Sequence, residues 1–147
     1  MVQIRYFAPS PRLRSLVSSY YWCETDLPLL CDRMRAELGQ VRFIVRGALS
    51  YCFDDGRDID CPPALLSGPT ATPVSTTATG PFACFGAGLM PAGWSALIGV
   101  DADTLADDAI ELRSVELSSG SRLSSASAAA SFGFAAIAVI AGPIGAG

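Results

Sequence analysis

The chain has no histidine among its 147 residues, and that absence bounds what the remaining polar side chains could do. Without an imidazole there is no Ser-His-Asp or Cys-His nucleophile, and the commonest ligand of zinc, iron and copper is missing. Asp, Glu, Cys and Tyr could still act as acids or bases, but no two of them stand at a persuasive catalytic spacing. No enzymatic activity, no metal and no cofactor are therefore expected. The five cysteines, Cys23, Cys31, Cys52, Cys61 and Cys84, contain no C-x-x-C pair, which argues against a zinc ribbon or a thioredoxin-like motif. They read as free thiols, most of them in the role of small buried hydrophobes rather than redox sensors.

Two acidic clusters invite a metal reading. Asp101, Asp103, Asp107 and Asp108 suggest calcium, yet Ala106 and Leu112 occupy the places where an EF-hand loop needs glycine and a bidentate glutamate. A helix cap with a solvated acidic face accounts for them. Asp54, Asp55, Asp58 and Asp60 surround Gly56 and read as the tip of a tight hairpin. Gly86-x-Gly88 begins like a dinucleotide fingerprint, but the third glycine would fall on Pro91. Glycines in a strand beside bulky residues mark a bulge or a close backbone approach instead.

The aromatic set, Tyr20, Tyr21, Trp22, Phe43, Tyr51, Phe53, Phe82, Phe85 and Trp94, either packs a core or lines a cavity in a small barrel. Trp22, Phe43, Tyr51 and Phe85 are the candidate ligand-binding residues. Arg42 and Arg46 fall opposite Phe43, where a solvated surface suits them better than an anion contact.

These residues must be positioned by one domain, since the length is that of a single core. Half the residues are apolar, 16% are charged, and the formal charge is −4. That charge is wrong for a nucleic-acid surface. All ten cations are Arg, which reads as the coding bias of a GC-rich genome. The opening MVQIRYFAPSPRLR lacks the apolar core of a signal peptide, so a reducing cytoplasm is expected.

Ser10-Pro11 looks like a helix opening, with Leu13, Leu16, Val17 and Tyr20 at helical spacing. Tyr20 to Trp22 favours a strand. Residues 27–38 read as loop with some helical turn. In QVRFIVR, residues 40–46, Val41, Phe43 and Val45 alternate with polar neighbours, predicting a strand with one buried face. Leu49 to Phe53 is a second strand, followed by the Asp54-Asp55-Gly56 turn. Residues 70–79 fit either an edge strand or an ordered loop. Phe82 to Met90 is a strand that must stop at Pro91 and turn into a short helix carrying Trp94. A final helix is predicted from the Asp101–Thr104 region to about Leu112. Short strands between Gly/Pro turns, with helices near the ends, predict a mainly β (α+β) fold: a small barrel or sandwich with short flanking helices.

After Arg122 no charge remains, and the text becomes Ala, Ser and Gly of low complexity. Residues 114–147 therefore form a tail distinct from a domain over 1–113. Three readings of the tail stand: a shifted reading frame or truncated gene end, a natural loose tail, or a weak membrane anchor. Against the anchor stand its many Gly and Ala and the interruption at Pro143.

Several motifs in order carry a resemblance. Pro9, Leu13, Val17 and Tyr21-Trp22 look like a loosened P-x-L-x-x-x-V-x-x-Y-W opening. VRFIVRG and the later LLSGP (residues 65–69) follow, then FGAGLMPAGWSALIGV and LADDAIEL. Over about residues 4–113 the chain resembles the N-terminal sensor or dimerisation domain of AraC-type bacterial transcription regulators. The resemblance implies a cupin-like β-barrel that binds a small effector or pairs as a homodimer. It also implies that DNA is read by separate helix-turn-helix units further along, which this sequence does not contain. Two alternatives are a cupin-like enzyme without His ligands, which would need carboxylates or Tyr for its chemistry, and a binding module tethered to a membrane by the tail.

Overall fold

A computed structural model describes residues 1–98 and 100–112. The fold is mainly β: eight strands in one antiparallel sheet, with a single short α-helix among the described residues. The strands are β1 (Val2–Phe7), β2 (Val17–Thr25), β3 (Leu29–Met34), β4 (Gln40–Cys52), β5 (Asp58–Asp60), β6 (Ala64–Ser67), β7 (Val74–Leu89) and β8 (Ala109–Glu111); α1 spans Pro91–Leu97. The tail from residue 114, with its three readings, lies outside the described residues.

Two long strands organise everything. β4 pairs with β7 along nearly its whole length. The other edge of β7 is shared, by β3 over residues 74–79 and by β2 over 82–89. The outer edge of β4 is shared in the same way, by β6 over 40–43 and β5 over 50–52. β1 extends the sheet beyond β2, and β8 extends it beyond β6.

Because side chains alternate faces, the sheet has two apolar surfaces and buries both. One carries Val17, Tyr20, Val41, Leu66, Phe85, Ala87 and Leu89, closed by Trp94 and Ile98 at α1 and by Leu105 and Leu112. The other carries Leu49, Tyr51, Phe53, Leu65, Val74, Ala78, Phe82 and Cys84. Pro91 opens α1 at its first turn, where the missing N–H costs nothing. The Trp94 indole N–H donates to the Val100 carbonyl at 2.9 Å, so the ring stays buried with its polar atom satisfied.

Several expected elements change. Residues 11–16 form hydrogen-bonded turns and no α-helix, with Leu13 N–H donating to Ser10 O and Val17 N–H to Leu13 O. β2 begins at Val17 because pairing with β7 and β1 satisfies more backbone than a short helix would. The predicted final helix is a 3-10 turn over Ala102–Leu105 followed by β8. There Ala109, Ile110 and Glu111 complete the edge of β6. Residues 29–34, expected as loop, are strand because β7 offers them an open edge.

The two strands predicted around Gly47 are one strand with an irregularity. Gly47 has φ +79°, and a Cβ there would lie 2.4 Å from the Thr79 carbonyl oxygen. Only glycine fits. Pairing with β7 slips between Ile44 and Arg46 and again between Arg46 and Ala48, and the face parity of β4 reverses: Arg42 and Ile44 share a face with Leu49 and Tyr51. Val45, expected in the core, is 62% exposed beside the slip.

Candidate functional site

The site begins with a row across three strands. Tyr21 of β2, Gly86 of β7 and Arg42 of β4 are register partners, with the glycine in the middle. A Cβ on Gly86 would lie 2.1 Å from Tyr21 Cζ, so the absent side chain lets the Tyr21 ring lie over the β7 backbone and reach Arg42. This is the close approach that the sequence suggested for Gly86-x-Gly88.

Arg42, expected at the surface, is buried at 6% exposure. Its Nε donates to Tyr21 Oη at 2.7 Å and its Nη2 to Gln40 Oε1 at 2.8 Å. Nη1 donates to Tyr51 Oη and makes a weak contact to Met34 Sδ. Tyr21 Oη donates in turn to Gln40 Oε1 at 2.5 Å, and Gln40 Nε2 donates to Glu37. The guanidinium is held in place by neutral groups. Its carboxylate partner, Glu37 Oε1, stands 3.7 Å from Nη2 and is about one-third exposed.

Burial pushes the Tyr21 phenol well up and the Tyr51 phenol to about 12, so neither supplies negative charge at neutral pH. Burial also raises the Glu37 carboxyl, against the pull of Arg42 and the Gln40 hydrogen bond. Arg42 keeps its proton: although burial works against the charge, its pKa is raised above the usual guanidinium value.

Tyr21, Glu37, Gln40 and Arg42 of this cluster line a cavity of about 520 Å³, a volume typical of small-molecule sites. Apolar walls come from Leu30 and Met34 of β3, Leu49 of β4 and Phe82 of β7, while Ile4 and Tyr6 of β1 stand at its rim. The adjacent row contributes Cys23 and Cys84, which are direct cross-strand partners. The hydrogen bond from Cys84 lowers the Cys23 thiol to about 7, against the opposing effect of burial and with help from Arg42; Cys84 moves up.

A family model for a domain of unknown function, DUF6597, matches residues 5–111. The chain belongs to this family. No curated protein and no solved structure matches it.

The matched region of this DUF6597 domain contains nearly the whole sheet and every part of the Arg42 cluster. Of the four residues singled out from sequence, only Tyr51 joins that cluster. Trp22, Phe85 and Phe43 form the next cross-strand row, on the opposite face, packed with the α1 side of the core. Sequence reasoning passed over Gln40 and Glu37, named Tyr21 only within the aromatic set, and preferred solvent for Arg42. The signal that could have found them is the alternation itself, since Tyr21 must face away from Trp22 and Arg42 away from Phe43.

The acidic clusters resolve into local structure. Asp55 accepts from Arg57 at the hairpin tip. Asp107 accepts from the Ala71 N–H at 2.9 Å and Asp108 from Ala109. Asp101 makes no side-chain cap. Among the described residues, no three Cys, Asp or Glu side chains are grouped to hold a metal ion. No helix among them is long and apolar enough to cross a membrane.

Proposed function

We propose that this domain is the ligand-sensing or dimerisation domain of an AraC-type transcription regulator, binding a small molecule rather than transforming one. The observation that carries the reading is the cavity built around Arg42, where a buried cation is held by neutral acceptors beside largely apolar walls. Such a site recognises; it offers no general base beside a nucleophile. The ordered sequence resemblance supports the same reading.

The route by which a ligand would act runs through β7. Cys84 and Gly88 line the chamber, while Phe85, Ala87 and Leu89 of the same strand pack on the opposite side with Trp94 of α1. The strand runs directly into α1, anchored by Leu89 N–H to Gly39 O and Met90 N–H to Leu16 O. A shift of the Tyr21–Gly86–Arg42 row therefore moves the base of α1. In the proposed mechanism that movement changes self-association, or the placing of a DNA-binding module. Coupling of this kind requires two states with different ligand affinity.

The test fuses the full chain ahead of a DNA-binding domain that represses a promoter only as a dimer. Repression that depends on the fused chain supports the reading, as does sedimentation of the free chain as a dimer. A chain that stays monomeric at high concentration, with a reporter indifferent to its presence and to ligands of the chamber, overturns it.

A further inference from the structure

We propose that the ligand of the Arg42 chamber carries a carboxylate on an apolar body, and that this carboxylate takes the place of Glu37 against the guanidinium. The inference rests on the reading of the chamber as an effector site and names the chemistry of the effector.

Three observations converge on it. First, the charge of Arg42 is poorly matched. A buried guanidinium is ordinarily met by a carboxylate in two parallel N–H···O bonds. Here its direct hydrogen bonds go to a phenol, an amide and a second phenol. Glu37 reaches only one nitrogen, at 3.7 Å, beyond hydrogen-bond range.

Second, Glu37 is placed to yield. It lies at the chamber wall, one-third exposed, and its other oxygen is held by the Gln40 amide. Burial already disfavours its charged form. An incoming carboxylate would give Arg42 a second oxygen and release Glu37 towards solvent. The exchange replaces one monoanion with another, so the chamber's balance is kept: Asp32 and Glu37 stand against Arg35 and Arg42 along its lining. A dianionic phosphate would leave that balance one charge negative. The thiols and phenols around Arg42, Cys23, Cys84, Tyr21 and Tyr51, add no fixed cation to compensate.

Third, much of the remaining chamber wall is apolar, beside the polar Ser18, Ser19, Asp32, Arg35 and Thr76. Leu30, Met34, Leu49 and Phe82 form walls with no partner for a polar ligand body, and Ile4 and Tyr6 leave apolar surface at the rim, 50% and 70% exposed. Against these four side chains a polar ligand body would lose its hydrogen bonds to water, at a cost. A fatty or aromatic acid would not.

The test is calorimetric titration of the intact chain with matched probe pairs: octanoate against octanamide, decanoate against decanamide, and phenylacetate against phenylacetamide. The acids are expected to bind at least about tenfold more tightly than their amides, as loss of a charge-assisted pair requires. Arg42→Gln should abolish that preference. Glu37→Gln, which removes the competing carboxylate while keeping its hydrogen-bonding reach, should tighten acid binding several-fold and leave the amides unchanged. If Arg42→Gln does not fold, the acid–amide comparison on the unaltered chain and on Glu37→Gln still decides the matter. Equal binding of acids and amides overturns the carboxylate assignment while leaving an effector site intact. So does binding of neither by both the unaltered chain and Glu37→Gln, and the dimer-dependent reporter then judges the sensor reading separately.

Discussion

Gly86→Ala is the substitution on which the geometry of the site can be judged most sharply. It adds one methyl group, and in an ordinary strand position it would be neutral or mildly stabilising, because alanine loses less backbone freedom on folding than glycine. At Gly86 the new Cβ would lie 2.1 Å from Tyr21 Cζ and 2.2 Å from its hydroxyl oxygen. Carbon atoms in contact settle at about 3.5–4.0 Å, so the ring must retreat by roughly 1.4 Å. That retreat takes the Tyr21 oxygen out of reach of Arg42 Nε, now at 2.7 Å, and of Gln40 Oε1, now at 2.5 Å. A hydrogen bond to a charged group contributes about 1.5–3 kcal/mol and a neutral one about 0.5–1.5. After the gain of about 0.5–1 kcal/mol from replacing a strand glycine, the net loss is about 2–3 kcal/mol.

Urea denaturation of the full chain reads this as a fall in midpoint of about 1–2 M at an unchanged slope. The double-mutant cycle isolates the cause. In a Tyr21→Ala background the ring is gone, so Gly86→Ala should cost nothing measurable, giving a coupling of about 2 kcal/mol or more. If Gly86→Ala costs the same in both backgrounds, the damage lies in the β7 backbone and the three-strand row is wrong. If it costs nothing in either, Tyr21 does not occupy the place above Gly86.

Two further predictions follow from the chamber's titrating groups. Burial raises the Glu37 carboxyl above its usual 4.5, so over a window above that value the folded chain holds a proton the unfolded chain has released. The stability linked to this group is complete below about 4.5 and is lost as pH rises through the folded value; Glu37→Gln should flatten that decline in urea midpoints, and identical slopes for the two proteins would refute it. Cys23, lowered to about 7 chiefly by the hydrogen bond from Cys84, should alkylate with a pH midpoint near 7 in a fraction that Cys23→Ser removes. Cys84→Ala should move that midpoint upward, and a midpoint indifferent to Cys84 would show that the two thiols do not interact.

What could be read from sequence was the kind of molecule: a mainly β fold, the stop at Pro91, the helix carrying Trp94 and the hairpin at Gly56 each follow from local chemistry. The elements that went astray are those whose identity depends on a distant edge. Residues 29–34 have no period of their own and become strand because β7 has an edge to fill. The segment at 109–111 has a helical pattern and becomes strand because β6 does.

The site was hidden for a different reason. Alternation assigns residues to two faces, and the assumption that one face is core and the other solvent makes Arg42 a surface residue. Here both faces are buried, one beneath α1 and one around the chamber. Trp22, Phe43 and Phe85, named with Tyr51 as ligand-binding candidates, form a single cross-strand row packed with the α1 side of the core. Its neighbour, Tyr21–Gly86–Arg42, carries the chemistry because it holds the sheet's one buried cation. Tyr51 could not have been assigned to that neighbour by counting from Arg42, since nine residues separate them and an odd interval implies opposite faces. The register slip between Ile44 and Arg46 reverses the parity and brings both to the same side. That slip, followed at once by the turn of backbone that only Gly47 can make, is what lets one strand supply the guanidinium and one of the phenols that hold it.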